Sequence, residues 1–227
     1  MILALTWLTP RVDKLWSAPL HDETVLGKVL KNCQRSGIID EICIVTNAPS
    51  LVERRAELDA RIFECPDFYV EHAFNFLNIE QHNLYRELDL SHAAAIHGDL
   101  TFQLSWNTPL LGARTLEAMY HKLLDDQSTA RVIPMYPVDP HLYTKLPGTE
   151  DFLPVWEHKG FDRQKSLQLF RPTTVCLTNW ARLLSTIPKV VGLSLDSVSC
   201  FTLDSEEQLA LVRHLHTYQQ RSESSPA

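Results

Sequence analysis

The side chains able to do chemistry are spread thinly along this chain. Arg11 and Lys14 stand three residues apart in residues 6–21, TWLTPRVDKLWSAPLH, just after the first apolar run. Two cations in a loop either offer charge to an anion or form a solvated face, and the residues leave both readings open. Arg163, in Asp162-Arg163-Gln164-Lys165, carries a guanidinium that can hold a carboxylate or a phosphate bidentately, or brace a hairpin. Asp204 precedes an amphipathic run and has Glu207 three residues later, which is the pattern of a helix capping box. The five cysteines, Cys33, Cys43, Cys65, Cys176 and Cys200, form no CxxC pair, so a thiolate zinc site is not expected. The ten histidines make no HExxH motif, and His214 and His216 are two apart on a helix, where they point to different faces.

The elements that must position these groups are clearest over residues 22–47, DETVLGKVLKNCQRSGIIDEICIVTN. Val25, Leu26, Val29, Leu30 and Cys33 share one face of a helix, while Lys28, Lys31, Gln34 and Arg35 are left to solvent. Asp22 or Thr24 can cap its start, and Ser36-Gly37 ends it, because glycine accepts the left-handed conformation common after a helix. Ile42-Cys43-Ile44-Val45 then reads as a buried parallel strand. With an earlier strand at residues 2–5, this predicts a βαβ unit with a right-handed crossover. Ligands in such sheets bind outside the carboxyl ends of the strands, so residues 6–21 are the first place to look for a site.

Further strands are expected at residues 60–63, 93–96, 130–135, 190–195 and 200–203, and helices at 51–58, 69–88, 115–124 and 205–219. Residues 144–160, with Pro147-Gly148 and Lys159-Gly160, suit a hairpin arm. Residues 1–220 read as one domain, and the Ser-rich residues 221–227 as a disordered tail. A net charge of −7 without a basic block disfavours a nucleic-acid partner. No apolar run approaches membrane-spanning length, MILALTWLTP lacks a basic leader, and scattered thiols in apolar strands fit reduced core residues, so a cytoplasmic protein is expected.

Several phrases, in order, resemble the nucleotide-sugar cytidylyltransferases, and most closely the acylneuraminate cytidylyltransferase (CMP-sialic acid synthetase) group. Ser36-Gly37-Ile38-Ile39-Asp40-Glu41-Ile42 and the strand ending Thr46-Asn47 are similar to that group's second strand region. Asn107-Thr108-Pro109-Leu110 followed by Thr115-Leu116-Glu117-Ala118 resembles its "Asp-x-Pro-Leu … Thr-x-Glu-Ala" phrase. Arg163-Gln164 with Phe170-Arg171 is similar to its Arg-Gln segment, and Phe201-Thr202-Leu203-Asp204 to its "Ile-Asp-Ile-Asp". The chain departs from the family in four places. Residues 6–21 contain no glycine, Asn107 stands where relatives have a metal-binding Asp, Pro172-Thr173-Thr174 replaces an Asn-Gly-Ala turn, and Thr202 replaces the first Asp of the last phrase.

The resemblance implies a single-domain, Rossmann-like three-layer α/β/α fold of the nucleotide-diphospho-sugar transferase type, with a mixed, mostly parallel sheet. It implies transfer of CMP from CTP to an acid sugar or related hydroxyl compound, with release of pyrophosphate. Arg11 and Lys14 would serve the phosphates and catalysis, Asn107 the nucleotide, Arg163 and Gln164 the substrate, and Asp99 and Asp204 an Mg²⁺ ion. A homodimer is also implied, with the hairpin arm contributing. The departures keep two alternatives in view: a non-catalytic binding or partner module, and a transferase using another nucleotide.

Overall fold

A computed structural model describes residues 2–8, 10–64, 100–138, 143–145, 152–154, 169–183 and 188–224. One sheet organises them, in the order β10-β7-β11-β6-β1-β4-β5, with β12 also paired to β7. Its strands are β1 (Ile2–Leu8), β4 (Glu41–Thr46), β5 (Arg61–Glu64), β6 (Leu100–Gln103), β7 (Thr129–Val138), β10 (Leu169–Pro172), β11 (Cys176–Asn179) and β12 (Lys189–Ser194). β1 runs parallel to both β4 and β6, β4 parallel to β5, and β7 parallel to β12. β11 is antiparallel to β6 and β7, and β10 is antiparallel to β7. This is the mixed, mostly parallel α/β arrangement that the resemblance implies.

The helix α2 (Val25–Ser36) forms for the reasons visible in its residues. The Thr24 hydroxyl accepts the Gly27 N–H at 3.0 Å, closing the first turn. Gly37 follows at φ 64°, and its N–H bonds the Gln34 carbonyl. Val25, Leu26, Val29, Leu30 and Cys33 are all buried against the sheet. A fully buried Val or Leu contributes about 1.5–3 kcal/mol, so this stripe outweighs modest helix propensity. β4 is buried on both faces from Ile42 to Val45, as a central parallel strand must be. Asp40 explains why an acid precedes it. Its carboxylate accepts the Ile2 N–H at 2.6 Å and its own N–H bonds the Ile2 carbonyl, so it pins the start of β1 beside β4. A second helix, α4 (Ala113–Leu124), buries Leu116, Met119 and Leu123 in the same core, and a short helix, α5 (Trp180–Leu183), follows β11.

The structure corrects several boundaries. β1 continues to Leu8, because Thr6, Trp7 and Leu8 extend the ladder along Ile44, Val45 and Thr46, and the Thr46 hydroxyl bonds the Leu8 carbonyl at 2.8 Å. The helix expected at 51–58 is α3 (Pro49–Glu53) followed by a 3-10 turn (Arg55–Glu57). Residues 200–203 are not a strand; the Leu203 N–H bonds the Asn107 carbonyl at 2.8 Å instead of joining a ladder. The last helix, α6 (Leu209–Ser224), follows a 3-10 turn (Glu206–Gln208) and runs four residues into the stretch expected as a tail. The arm is present as β8 (Tyr143–Lys145) paired antiparallel with β9 (Phe152–Pro154). The strand expected at 93–96 and the helix expected at 69–88 lie outside the described residues.

Candidate functional site

The carboxyl ends of β1, β4 and β6 lie side by side, and the segments leaving them form the candidate site. After β6 the chain is drawn back by a 2.7 Å bond from the Leu104 N–H to the Leu5 carbonyl. It then turns tightly, with the Thr108 hydroxyl and N–H both bonding the Ser105 carbonyl, at 2.8 and 3.2 Å. That turn presents Asn107. The Ser105 hydroxyl donates to Asn107 Oδ1, which leaves Nδ2 to donate to Asp204 Oδ1 at 2.9 Å. The two partners fix the amide's orientation, since one must give a proton and the other must take one. The Thr202 hydroxyl donates to Asp204 Oδ2 at 3.2 Å.

Asn107 and Asp204, ninety-seven positions apart, are therefore in direct contact. The capping box expected at Asp204 does not form. Leu203 is tied to the Asn107 backbone, so the Asp204 carboxylate turns toward Asn107 and away from the helix, and the Asp204 N–H bonds Gln208 Oε1 at 2.7 Å. Glu207 pairs with Ser205 instead, and that hydrogen bond lowers its pKa below the ordinary glutamate range.

The segment leaving β1 is compact. A 3-10 turn (Pro10–Val12) leads into α1 (Asp13–Trp16), and Trp16 is buried in the core cluster. The Trp16 indole N–H donates to Asp13 Oδ1 at 3.0 Å, and the Ser50 hydroxyl donates to Asp13 Oδ2 at 2.8 Å. Asp13 thus bolts the segment to α3. Arg11 and Lys14 flank it with exposed side chains. Two short strands, β2 (Pro19–Leu20) and β3 (Glu23–Thr24), lead into α2, and α6 straps them down through the Arg213 Nε bond to the Pro19 carbonyl at 3.0 Å. His21, at φ 58°, is held by Thr217 across a 3.1 Å contact.

Asp99, Arg163 and Gln164 lie outside the described residues. Among the described residues no group of three or more His, Cys, Asp or Glu could hold a metal ion. Asp204 offers one carboxylate beside an amide and a hydroxyl. That donor set fits Mg²⁺ held by a single carboxylate together with substrate phosphates, and does not fit an all-protein cage. Among the described residues thiol chemistry is disfavoured: burial pushes Cys33 and Cys43 up to about 12 and Cys200 up to about 11, and raises Cys176, whose thiol donates to Gln103 Oε1 at 2.8 Å.

Asn32 was not singled out by pattern, yet it is buried and its amide donates to the Leu111 carbonyl at 2.9 Å and the Pro109 carbonyl at 3.4 Å. It thereby holds the far end of the segment that carries Asn107. The signal that could have found it is the polar residue at position 32 between buried Leu30 and Cys33.

No family model matches this chain, and no curated protein matches it in sequence. Solved structures do match it in fold. A CMP:2-keto-3-deoxy-manno-octonic acid synthetase solved with CTP aligns at a TM-score of 0.61 and 10% identity, over 96% of this chain and 98% of its own. A 4-diphosphocytidyl-2C-methyl-D-erythritol synthase aligns at 0.67 and 15% identity, over 95% and 97% of the two chains. The enzyme of that name from Anaerococcus prevotii aligns at 0.58 and 13% identity, over 96% and 98%. The chain has the fold of the nucleotide-sugar cytidylyltransferases, with a sequence that has diverged far from these three.

Proposed function

We propose that this chain is a divergent cytidylyltransferase-like protein, which binds CTP over the carboxyl ends of β1, β4 and β6 and transfers CMP to a hydroxyl of an acid sugar or related compound, releasing pyrophosphate. The observation that carries this reading is the Asn107–Asp204 contact. It sets an amide, on the segment that follows β6, against a carboxylate, and β6 pairs with β1, the strand that leads toward Arg11 and Lys14. Ligands of open α/β sheets dock at this edge. In the reading, Arg11 and Lys14 offset phosphate charge, Asn107 orients the nucleotide, and Arg163 and Gln164 hold the acceptor's carboxylate. Asp204 would hold Mg²⁺, together with Asp99 if that residue converges on it. When bound, the ion supplies charge neutralisation to the developing pyrophosphate. Transfer of this kind rests on positioning and electrostatics, so it asks for no nucleophilic side chain. A cytoplasmic homodimer using the β8–β9 arm completes the reading.

A second reading is favoured by the segment after β1. It contains no glycine, its carboxylate Asp13 is committed to Trp16 and Ser50, and its indole fills core space. Backbone N–H groups approach a triphosphate most readily where glycine opens the chain. A non-catalytic binding or partner module is the form of the protein this observation favours.

The deciding experiment is a thermal-shift panel of the four nucleoside triphosphates and CMP, with and without Mg²⁺. A ligand bound only by the folded state at a hundredfold excess over Kd adds about 2.7 kcal/mol. A Mg²⁺-dependent shift selective for CTP, lost in Arg11→Ala and Asp204→Asn, is the expected result. A shift with a different nucleotide changes the donor, and silence at millimolar CTP returns the non-catalytic reading.

A further inference from the structure

A polar cavity lies among the helices that flank the sheet. It has a volume of about 330 Å³ and sits between α2, the start of α4 and the second half of α6. This is within the usual range for a small-molecule site of roughly 300–1,000 Å³. Lys28, Asn32 and Arg35 enter it from α2, Arg114 and Thr115 from α4, and Gln219 from α6. Among the described residues no carboxylate lines it, although acidic residues outnumber Lys and Arg in the chain by 28 to 21. Three cations facing one cavity without an acid run against that average.

Each cation has a different local account. Lys28 is partly offset by Glu23, with Nζ 3.8 Å from Oε1. Arg35 lies in the last turn of α2, where the helix dipole favours a cation. Arg114 lies in the first turn of α4, where the dipole opposes one. That turn holds no acidic residue, and its N-cap Gly112 supplies no side-chain acceptor. Arg35 and Arg114 are exposed and form no ion pair among the described residues. Asn32 is 5% exposed, and its bonds to the Pro109 and Leu111 carbonyls fix the cavity floor before any ligand arrives.

We infer that this cavity is an anion site for a small phosphorylated compound, such as a phosphomonoester or a diphosphate, held by Arg35, Arg114 and Lys28. Guanidinium groups pair with phosphate oxygens bidentately, and the dipole at the start of α4 favours an anion there. A single bound anion would resolve both the misplaced Arg114 and the unshared Arg35. The site is separate from the one proposed for CTP, but Pro109 and Leu110, which wall it, lie on the segment that continues from Asn107.

The test is isothermal titration of inorganic pyrophosphate, without Mg²⁺ and with a chelator, so that a metal-dependent site stays silent. Wild type, Arg35→Ala/Arg114→Ala, Arg11→Ala/Lys14→Ala and a control Arg54→Ala/Arg55→Ala are compared, with unfolding curves confirming that each is folded. Saturable binding in wild type that persists in Arg11→Ala/Lys14→Ala, is weakened at least about tenfold by Arg35→Ala/Arg114→Ala and is unchanged in the control Arg54→Ala/Arg55→Ala is expected. Arg114→Lys keeps the charge but loses the fork, and should fall between. Equal binding by wild type and Arg35→Ala/Arg114→Ala overturns the inference. So does loss in Arg11→Ala/Lys14→Ala, which would put the anion at the strand ends, and so does no saturable heat up to about 10 mM. Titrating a sugar phosphate and inorganic phosphate alongside then separates a monoester site from a diphosphate site.

Discussion

The strand-end site and the flank cavity use the same kinds of side chain in opposite settings. At the strand ends, Arg11 and Lys14 bracket Asp13, and the Asp204 carboxylate meets an amide and a hydroxyl. In the flank cavity, Lys28, Arg35 and Arg114 face one space that no described carboxylate enters. The first region lies at the carboxyl ends of the strands, where ligands of open α/β sheets dock, and its segment after β1 has no glycine. The second has concentrated positive charge on helices whose neighbours share the folded core. Placement and charge, which a phosphate-handling site needs together, are divided here between two regions.

The largest expected effect concerns how firmly the strand-end segment is fastened. Trp16 is buried, 3% exposed, and its indole bonds Asp13. Trp16→Ala should cost about 3–5 kcal/mol by denaturant unfolding, as for other large buried aromatics. A loss below about 1 kcal/mol would mean that this segment behaves as a loose phosphate flap, and would bring the two regions closer in character. Asn32 is the physical link between them. Asn32→Ala leaves the Pro109 and Leu111 carbonyls without their donor and should cost about 1–3 kcal/mol. It should also weaken pyrophosphate and CTP binding together; weakening of one alone would show that the regions act independently.

The smallest effect is a control from the other end of the strands. Hydrogen bonds from Lys189 first, then Ser128, hold the exposed Asp126 carboxyl well below the ordinary carboxylate range. Its folded pKa is depressed, so the stability it contributes is present above the ordinary value near about 3.9 and is lost as pH falls below it. Asp126→Asn should flatten the fall of melting temperature between about pH 5 and pH 2 and leave both ligand titrations unchanged. A change in either titration would mean that charge is felt along the whole sheet, against the separation drawn above.

How much of this could be read in advance differs from element to element. α2 was legible throughout, because its cap, its apolar stripe and Gly37 are all local. β4 was legible because an unbroken β-branched run has few other uses. The ordered phrases also led to the right fold, although the matching structures share only 10–15% identity. The same local logic misjudged Asp204, where Asp-x-x-Glu promises a capping box. A backbone bond from Leu203 to the distant Asn107 claims that segment first. It also assigned Lys28 to a solvated face, yet its side chain is only 12% exposed, while Arg35, read the same way, is exposed.

The division follows from range. Periodicity, caps and turn residues act over a few positions, so the chain's own order specified the βαβ unit, the buried strands and the residue types available for chemistry. The meeting of Asn107 with Asp204, and of Lys28 and Arg35 with Arg114, needs elements far apart in sequence to be brought together by burial of one shared core. Hydrophobic burial is non-directional and local pattern does not encode it as a pairing. Only the closed tertiary structure decided which polar groups share a site.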